Sequence, residues 1–286
     1  MEKAIKRYWP FFVLPTLAAF VIGFIVPFFQ GLYLSFCEFT TIKKAKWVGL
    51  KNYIRIFTNN DPEPLTDALW FTVLFAVVSI ILINVIGFVF ALLLTRSLKG
   101  TNVFRTIFFM PNLIGGVVLG YIWQILINCV LSIVGEPLLA LNSTAGYWGL
   151  IILMCWQQVG YMMIIYIAGL QSVSESLIEA AQIDGATSWR ILWKIKIPMV
   201  MPSITICTFL TLTNSFKLFD QNLALTGGEP MDKTAMLALN IYKTFYERSG
   251  AQWKGLGQAK AVVFCVLVVA ISMIQLRATR NKEVQQ

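Results

Sequence analysis

Long uncharged runs decide what this chain can fold into. After Lys3, Lys6 and Arg7, the thirty residues from Tyr8 to Cys37 carry no charge. About 20 apolar residues are enough for a helix to cross a bilayer. The run is too long for the apolar part of a signal peptide, and no small-residue cleavage site closes it. We therefore expect a retained first membrane span.

Similar apolar runs recur along the chain, and only 13% of the residues are charged, against roughly 25% in soluble domains. The last run holds only 16 uncharged residues, between Lys260 and Arg277. It spans a membrane if Lys260 snorkels and the helix starts near Gly255. The sequence thus predicts an all-α membrane protein with six transmembrane helices, at about 10–36, 68–95, 106–130, 147–171, 199–219 and 258–276.

The distribution of basic residues predicts the orientation of these spans. Four short segments, 1–8, 96–105, 173–198 and 277–286, contain 12 of the 23 Lys and Arg residues. Loops rich in Lys and Arg stay in the cytoplasm, so we expect both termini and segment 173–198 there, in a multi-pass protein of the bacterial cytoplasmic membrane. Three lysines, Lys43, Lys44 and Lys46, oppose this bias. The net charge of +9 indicates contact with lipid headgroups rather than nucleic acid.

The sequence lacks the residues that several kinds of catalytic and metal site require. The chain has no histidine, and its five cysteines have no metal-ligand or disulfide spacing. Neither a nucleophile with its base nor a carboxylate pair falls within a span, which disfavours a membrane enzyme. No phosphate-binding P-loop motif occurs, so any ATP and Mg must be bound by another protein. We predict no catalytic residue, no metal site and no cofactor in this chain.

Segment 173–198, called the island below, is charged where the rest is apolar. Its six charged side chains would cost about 3 kcal/mol each at the membrane centre, on the order of 18 kcal/mol together, so we expect it in water. Serine and glutamate lie three residues apart twice within 172–179, the spacing of a capping box. Gly185 suits a helix C-terminus, and a second helix should run from Ala186 until Pro198 stops it. Trp189, Leu192, Trp193 and Lys196 then form one amphipathic face.

Two interpretations of the island are open from the residues alone. It could lie on lipid headgroups as an interfacial helix. Alternatively, it could dock in a groove of another protein, which its acidic first half favours. The island also resembles the cytoplasmic coupling signature of bacterial ABC-importer permeases, with Ile197 in place of leucine. The resemblance implies an ATPase-coupling role for Glu179, Ala180, Ala181, Asp184, Gly185, Ile195 and Pro198.

Three further segments resemble the carbohydrate-uptake branch of this family. They are the sequence Trp47–Tyr53 after the first span, Phe104–Asn112 at the entry to the third, and Thr226–Pro230, where Glu229 replaces a glycine. The resemblance implies a permease that moves a sugar or oligosaccharide. Its implied partners are a second similar permease, two cytoplasmic ATPase subunits, an extracellular solute-binding protein and the membrane lipid.

Other functions remain as alternatives. A permease of this kind could import a non-sugar solute, although the segments at 47–53 and 104–112 argue against it. An ATP-independent secondary carrier would favour charged residues in the middle of a span, and the predicted spans offer none. We divide the chain into a first part, 1–67, with the N-terminal tail, first helix and outer loop, and a permease core, 68–286.

Polar side chains within the spans are candidates for the solute path, because such residues are costly in lipid and tend to face a cavity. They could equally form hydrogen bonds between helices, and the sugar site could lie in the partner permease. Lys217 and Asp220 lie near the outer end of the fifth span, where we expect local pairing or contact with the binding protein. The path candidates are Trp156, Gln157, Gln158 and Tyr161 in the fourth span and Thr211, Asn214 and Ser215 in the fifth.

Overall fold

A computed structural model describes residues 2–58, 64–95 and 100–280, and most of them are helical. The α-helices are α1 Glu2–Phe20, α2 Val26–Leu34, α3 Lys51–Ile56, α4 Leu65–Leu94, α5 Thr101–Phe109, α6 Gly116–Val134, α7 Ser143–Gln171, α8 Glu175–Ile183, α9 Ser188–Ile191, α10 Ile197–Met199, α11 Met201–Phe216, α12 Asp220–Leu225, α13 Leu237–Tyr242 and α14 Ala251–Arg280. Short π- or 3-10-helical turns lie at Val21–Ile25, Ile42–Lys44, Met110–Leu113, Leu192–Lys196 and Lys243–Glu247. Two short antiparallel strands, β1 Cys37–Glu38 and β2 Lys46–Trp47, pair with Cys37 opposite Trp47.

Five helical segments of the described chain are long and apolar enough to cross a membrane. A sixth span results if the segments Ser188–Met199 and Met201–Phe216, which meet at 68°, are taken as one broken span. The structure is therefore that of an all-α membrane protein, as the sequence predicts. The five segments are Val13–Leu34, Leu65–Leu94, Gly116–Val134, Ser143–Gln171 and Ala251–Thr279.

The described chain forms two compact units. One unit comprises Met1–Pro64 and Ile241–Cys265, and the other Leu65–Asn240 and Val266–Gln286. In the second unit, α4, α7 and α11 pack around a core that includes Phe75, Met154 and Met162. Gly87 of α4 approaches α7 closely, since a Cβ there would lie 3.4 Å from both Met162 Cβ and the Val159 carbonyl oxygen. Small residues of this kind let helices pack tightly within lipid.

The third span begins ten residues later than predicted. The apolar sequence from residue 106 suggested one continuous helix, but α5 ends at Phe109 and α6 begins at Gly116. Pro111 lies in the 3-10 turn between them, and Gly115 adopts an extended backbone with ψ of 139°. Proline lacks a backbone N–H, so an apolar run that contains it need not form a single helix.

The island folds into two helices joined at Gly185. This glycine has φ of +77°, and the Ala186 N–H donates to the Ala181 carbonyl at 2.9 Å, the arrangement of a Schellman motif. The predicted glycine-terminated helix is thus confirmed. The capping boxes are not, because α8 begins after Ser174, whose hydroxyl lies 2.7 Å from that of Ser176.

Pro198 does not stop the second island helix, contrary to the sequence prediction. A helical path runs from Ser188 through the π turn to Met199, and the chain bends at Val200. Pro198 lies in the first turn of α10, where a missing N–H is tolerated because the preceding π turn already departs from regular α-helical hydrogen bonding.

In the first unit, the end of α2 is fastened to α3. The Asn52 side chain donates to the carbonyl oxygens of Ser35 and Cys37, at 2.9 and 3.0 Å. Asn52 is itself buried, so these bonds satisfy an amide that would otherwise be costly away from water.

Lys260 does not snorkel as predicted. It is fully buried in the first unit, and its Nζ donates to the Thr244 hydroxyl at 3.0 Å. The segment around the π turn Lys243–Glu247 supplies this partner, so the ammonium is held inside the protein and α14 extends nine residues before it. Ionisable groups at membrane depth typically find such protein partners.

Candidate functional site

Gln158 and Asn214 meet at a pocket in the second unit. The Asn214 Nδ2 donates to Gln158 Oε1 at 3.3 Å, which joins α7 to α11. Both side chains line a cavity of about 250 Å³. The second polar atom of each amide makes no hydrogen bond to another described residue, and an amide can both donate and accept hydrogen bonds.

Two charged residues line the same cavity. Lys217 follows α11 directly and Asp220 begins α12, and both residues are exposed. No hydrogen bond or ion pair joins them to one another within the described ranges. The local pairing expected from the sequence is therefore not found, although both residues line the cavity. Met154, Leu218 and Phe219 complete the wall with apolar surface.

Gln157 contacts different residues from those that Gln158 contacts. Its Oε1 accepts from Gln221 Nε2 at 2.8 Å, and its Nε2 donates to the Ile114 carbonyl at 3.3 Å. The amide therefore connects α7 with α12 and with the turn before α6. Since Gln221 also lines the cavity, Gln157 holds one wall of the pocket in place.

Trp156 and Tyr161 lie away from this polar pocket. Trp156 contacts Trp123 edge to face, with ring centroids 5.7 Å apart, and lines a separate apolar cavity of about 530 Å³. The Tyr161 ring is 6.3 Å from that of Phe109, at the end of α5. The structure thus does not gather the four predicted residues of the fourth span around one site.

Thr211 and Ser215 face the interior of the helix packing. Thr211 is fully buried, donates to the Cys207 carbonyl at 2.8 Å and accepts from Asn84 Nδ2 at 3.4 Å. The Asn84 Oδ1 in turn accepts from the Tyr166 hydroxyl at 2.6 Å. Ser215 is also fully buried, and its hydroxyl has no partner among the described residues. Of the three candidates on α11, only Asn214 reaches the pocket.

Most residues of the first island helix and of the turn after it are exposed. Glu179, Ala180, Asp184 and Gly185 are exposed, and Ile183 beside them is 87% exposed. Leu177 of the same helix is exposed as well, and several large apolar side chains exposed on one segment are typical of an interaction surface.

The second helix of the island adds two tryptophans to this surface. Trp189 and Trp193 are both exposed, and their rings meet edge to face at 5.7 Å. Trp189 also lines a cavity of about 400 Å³ together with Thr95, Leu170 and Lys196. This cavity lies where the island meets the ends of α4 and α7.

The opposite side of the island is anchored to the bundle. Ile191 is buried, while Ile178 and Ile195 pack against the hydrophobic core of the second unit. Ala181 and Pro198 are half-buried. The signature residues therefore divide into an exposed set on and just after α8 and a more buried set that leads into α11.

Sequence reasoning missed Asn84, Tyr166 and Gln221. Asn84 is an amide in the middle of a thirty-residue apolar helix, and the rule that selected Gln158 also applies to it. Tyr166 gave no such signal, since tyrosine is common in apolar helices. Gln221 lies beyond the predicted fifth span, in a short helix that the sequence did not indicate.

Comparison with known proteins agrees with this architecture. The chain is 41% identical over 97% of its length to the probable starch degradation products transport system permease protein AmyD of Thermoanaerobacterium thermosulfurigenes, and covers 95% of that protein. It is 29% identical to the multiple sugar-binding transport system permease protein MsmF of Streptococcus mutans, with 99% of each chain covered.

A solved structure shares the fold. A chain of a bacterial ABC transporter involved in import of the acidic polysaccharide alginate superposes with a TM-score of 0.81 at 22% identity, over 98% of both chains. The family model described as the binding-protein-dependent transport system inner membrane component matches residues 87–281, most of the chain. With this match and the 41% identical relative, the chain belongs to the family of inner membrane components of binding-protein-dependent transport systems.

Proposed function

We propose that this chain is the permease subunit of an ABC importer that takes up a sugar or oligosaccharide. The observation that carries the proposal is the 41% identity, along nearly the whole chain, to a permease named for starch degradation products. Membership of a family of binding-protein-dependent transport components argues against the two alternative functions, an ATP-independent secondary carrier and a membrane enzyme. A direct test is uptake of labelled maltodextrins by cells that carry or lack this gene.

The implied partners follow from the kind of transporter. A second permease would complete the path, two cytoplasmic ATPase subunits would bind ATP and Mg, and a solute-binding protein would deliver the sugar. This chain supplies no nucleotide site of its own by sequence. Its contribution is to hold the path and to convert motion of the ATPases into motion of the spans.

The cavity between Gln158 and Asn214 has the chemistry that a sugar requires. Amides donate and accept hydrogen bonds, as sugar hydroxyls do, and the Phe219 ring offers an apolar face for a pyranose ring. One cation and one anion, Lys217 and Asp220, stand at the wall, so the cavity carries no net charge. We propose that Gln158 and Asn214 contact the passing sugar and that Gln157, Thr211 and Ser215 support the helices around it.

We propose that the island is the coupling element. Its exposed surface, around Glu179 and Ile183, would fit into a groove of one ATPase. Its anchored side, at Ile195 and Pro198, leads directly into α11, which carries Asn214. Closure of the ATPases would therefore shift α11 against α7 and open or close the pocket, a rigid-body movement of packed helices.

Removal of the pocket amides should impair uptake specifically. We expect Gln158→Leu and Asn214→Leu each to reduce sugar uptake about fivefold, because each loses one hydrogen bond worth roughly 1 kcal/mol. The measurement is initial uptake rate in proteoliposomes that contain the whole transporter. Gln171→Leu is the matched control, since Gln171 lies exposed at the end of the same helix. Equal rates for all three variants and the wild type would place the sugar contacts elsewhere.

The proposed orientation can be tested by labelling single cysteines in a variant whose five native cysteines are replaced. A cysteine at Ser176 in the island should resist a membrane-impermeant thiol reagent in intact cells and react after permeabilisation. Cysteines at Thr58 and Lys233, both exposed in the structure, should react in intact cells. Labelling of the island cysteine in intact cells would show that the island lies outside the cell and would contradict the proposed orientation.

A further inference from the structure

The loop that follows the first span concentrates positive charge. Residues 35–58 contain five basic side chains and one acidic side chain. The acid, Glu38, is already engaged, because Lys51 Nζ lies 2.9 Å from its Oε1. Three more cations, Lys43, Lys44 and Lys46, are exposed, and their side chains make no hydrogen bond or ion pair with another described residue.

The same loop also exposes large apolar side chains. Five of them are more than half exposed: Ile42, Trp47, Leu50, Ile54 and Phe57. They alternate with the basic residues along a short segment. A stretch that shows both cations and bulky apolar groups is typical of chain that lies in the interface plane of a membrane, with the apolar groups toward the acyl chains and the cations at the headgroups.

Aromatic contacts join this loop to the end of the first candidate span. The Trp47 ring is stacked 5.3 Å from Phe36 and lies 5.6 Å from Tyr33, which belongs to the last turn of the first span. Trp and Tyr concentrate where the hydrocarbon meets the headgroups. The two Asn52 hydrogen bonds to the end of α2 hold α3 at the same level.

We propose that residues 35–58 form a binding surface for anionic phospholipid. Lys43, Lys44 and Lys46 would bind the phosphate groups of lipids such as phosphatidylglycerol, while Ile42 and Trp47 enter the acyl region between them. A lipid is favoured over a protein partner because the exposed Trp47 packs on Tyr33 and Phe36 at the end of a candidate span, where a bilayer surface would lie. The surface also accounts for the three lysines that oppose the charge bias of the other loops.

The test measures the lipid that the complete transporter retains. The complex, with its partner subunits, is reconstituted into nanodiscs of phosphatidylcholine and phosphatidylglycerol in equal molar amounts and then extracted in mild detergent. Bound phosphatidylglycerol is counted by native mass spectrometry. Each lysine near an anionic surface adds roughly a fivefold gain in affinity. We therefore expect the triple variant Lys43→Glu, Lys44→Glu, Lys46→Glu to retain less phosphatidylglycerol by about tenfold or more.

Matched variants separate this surface from general effects. The triple Lys→Arg variant keeps the charge and should retain lipid as the wild type does, which also shows that the loop tolerates substitution. Lys44→Glu alone should lose lipid, whereas Lys233→Glu, on an exposed loop of the second unit, should not. Equal losses in these two single variants, or full retention by the triple Glu variant, would overturn the proposal.

A protein partner is distinguished in the same preparation. The concentration of solute-binding protein that half-maximally stimulates ATP hydrolysis is measured for the triple Glu variant. If that concentration rises while phosphatidylglycerol retention is unchanged, the surface docks a protein and the lipid proposal is wrong.

Discussion

Gly185→Val and Glu179→Lys are each expected to reduce solute-stimulated ATP hydrolysis and sugar uptake together, by about tenfold or more, while the protein still inserts into the membrane. Gly185 has φ of +77°, where a β-branched residue costs about 1–2 kcal/mol or forces the turn to open. Opening this turn would misdirect α8 relative to the helix that leads into α11. Glu179 is exposed on α8, so its charge reversal should change docking and leave the fold intact.

The chain offers a close control for the glycine variant. Gly135 ends α6 with φ of +80° and the same Schellman hydrogen bond, from the Glu136 N–H to the Leu131 carbonyl at 2.9 Å. A Cβ would meet nothing within 4 Å at either glycine. Gly135→Val therefore carries the same backbone strain outside the island, and we expect it to leave coupling unchanged.

Glu175→Lys controls for the charge of the island. It lies on the same short helix and is also exposed, but it precedes the signature by four residues. Co-purification of the ATPase subunits and their rate of ATP turnover are measured for all four variants. If Gly185→Val and Glu179→Lys bind and drive the ATPases as the wild type does, the island is not the coupling element. If Glu175→Lys behaves as Glu179→Lys does, net charge rather than the signature explains the effect.

The span count and the island could be predicted because both depend on composition over long stretches. A run of about twenty apolar residues without a charge is long enough to form a membrane-spanning helix. A segment with six charged residues among 26 is too costly to bury in the bilayer and is expected in water. The ends of the individual helices are harder to predict. The apolar run predicts a helix that starts at residue 106, yet the structure has separate helices on either side of Pro111. Hydropathy alone does not show such a break.

Lys260 illustrates a different limit. From the sequence, a lysine near the start of an apolar run has a clear solution, which is to snorkel toward water. The structure gives it a partner, Thr244, sixteen residues earlier in the chain. Such tertiary partners for a buried ammonium cannot be read from local sequence, because any of several hydroxyls at a similar distance would have been equally plausible.

The pocket could be predicted only in part, for a geometrical reason. Residues three apart on a helix point about 60° away from one another, because each residue turns the helix by about 100°. Sequence periodicity treats such residues as one face. In the structure this difference separates Asn214, at the pocket, from Thr211, against Asn84 of α4. Which neighbour a helix face meets depends on packing that the sequence pattern does not contain.

Gly160→Val is expected to have the largest effect on folding of any single substitution considered for the helix bundle. Gly160 lies on α7 where that helix meets the end of α5, and a Cβ at this position would overlap the Phe108 carbonyl oxygen and lie 2.9 Å from the Phe109 nitrogen. These are backbone atoms, so no side-chain rotation can relieve the overlap. Arg105 also fixes α5, through a 2.9 Å hydrogen bond from Nη2 to the Leu94 carbonyl at the end of α4.

Forcing extra atoms into packed interiors typically costs about 1–3 kcal/mol, and an overlap with backbone atoms belongs at the upper end of that range. We expect Gly160→Val to lower the thermal stability of the detergent-purified transporter, measured as the fraction that remains monodisperse after heating, and to abolish uptake. Gly23→Val is the control, because a Cβ there meets nothing within 4 Å in a helix of similar hydropathy. Equal stability of the two variants would mean that α5 does not approach α7 as closely as described, and the apolar cavity that both helices line would then be open to rearrangement.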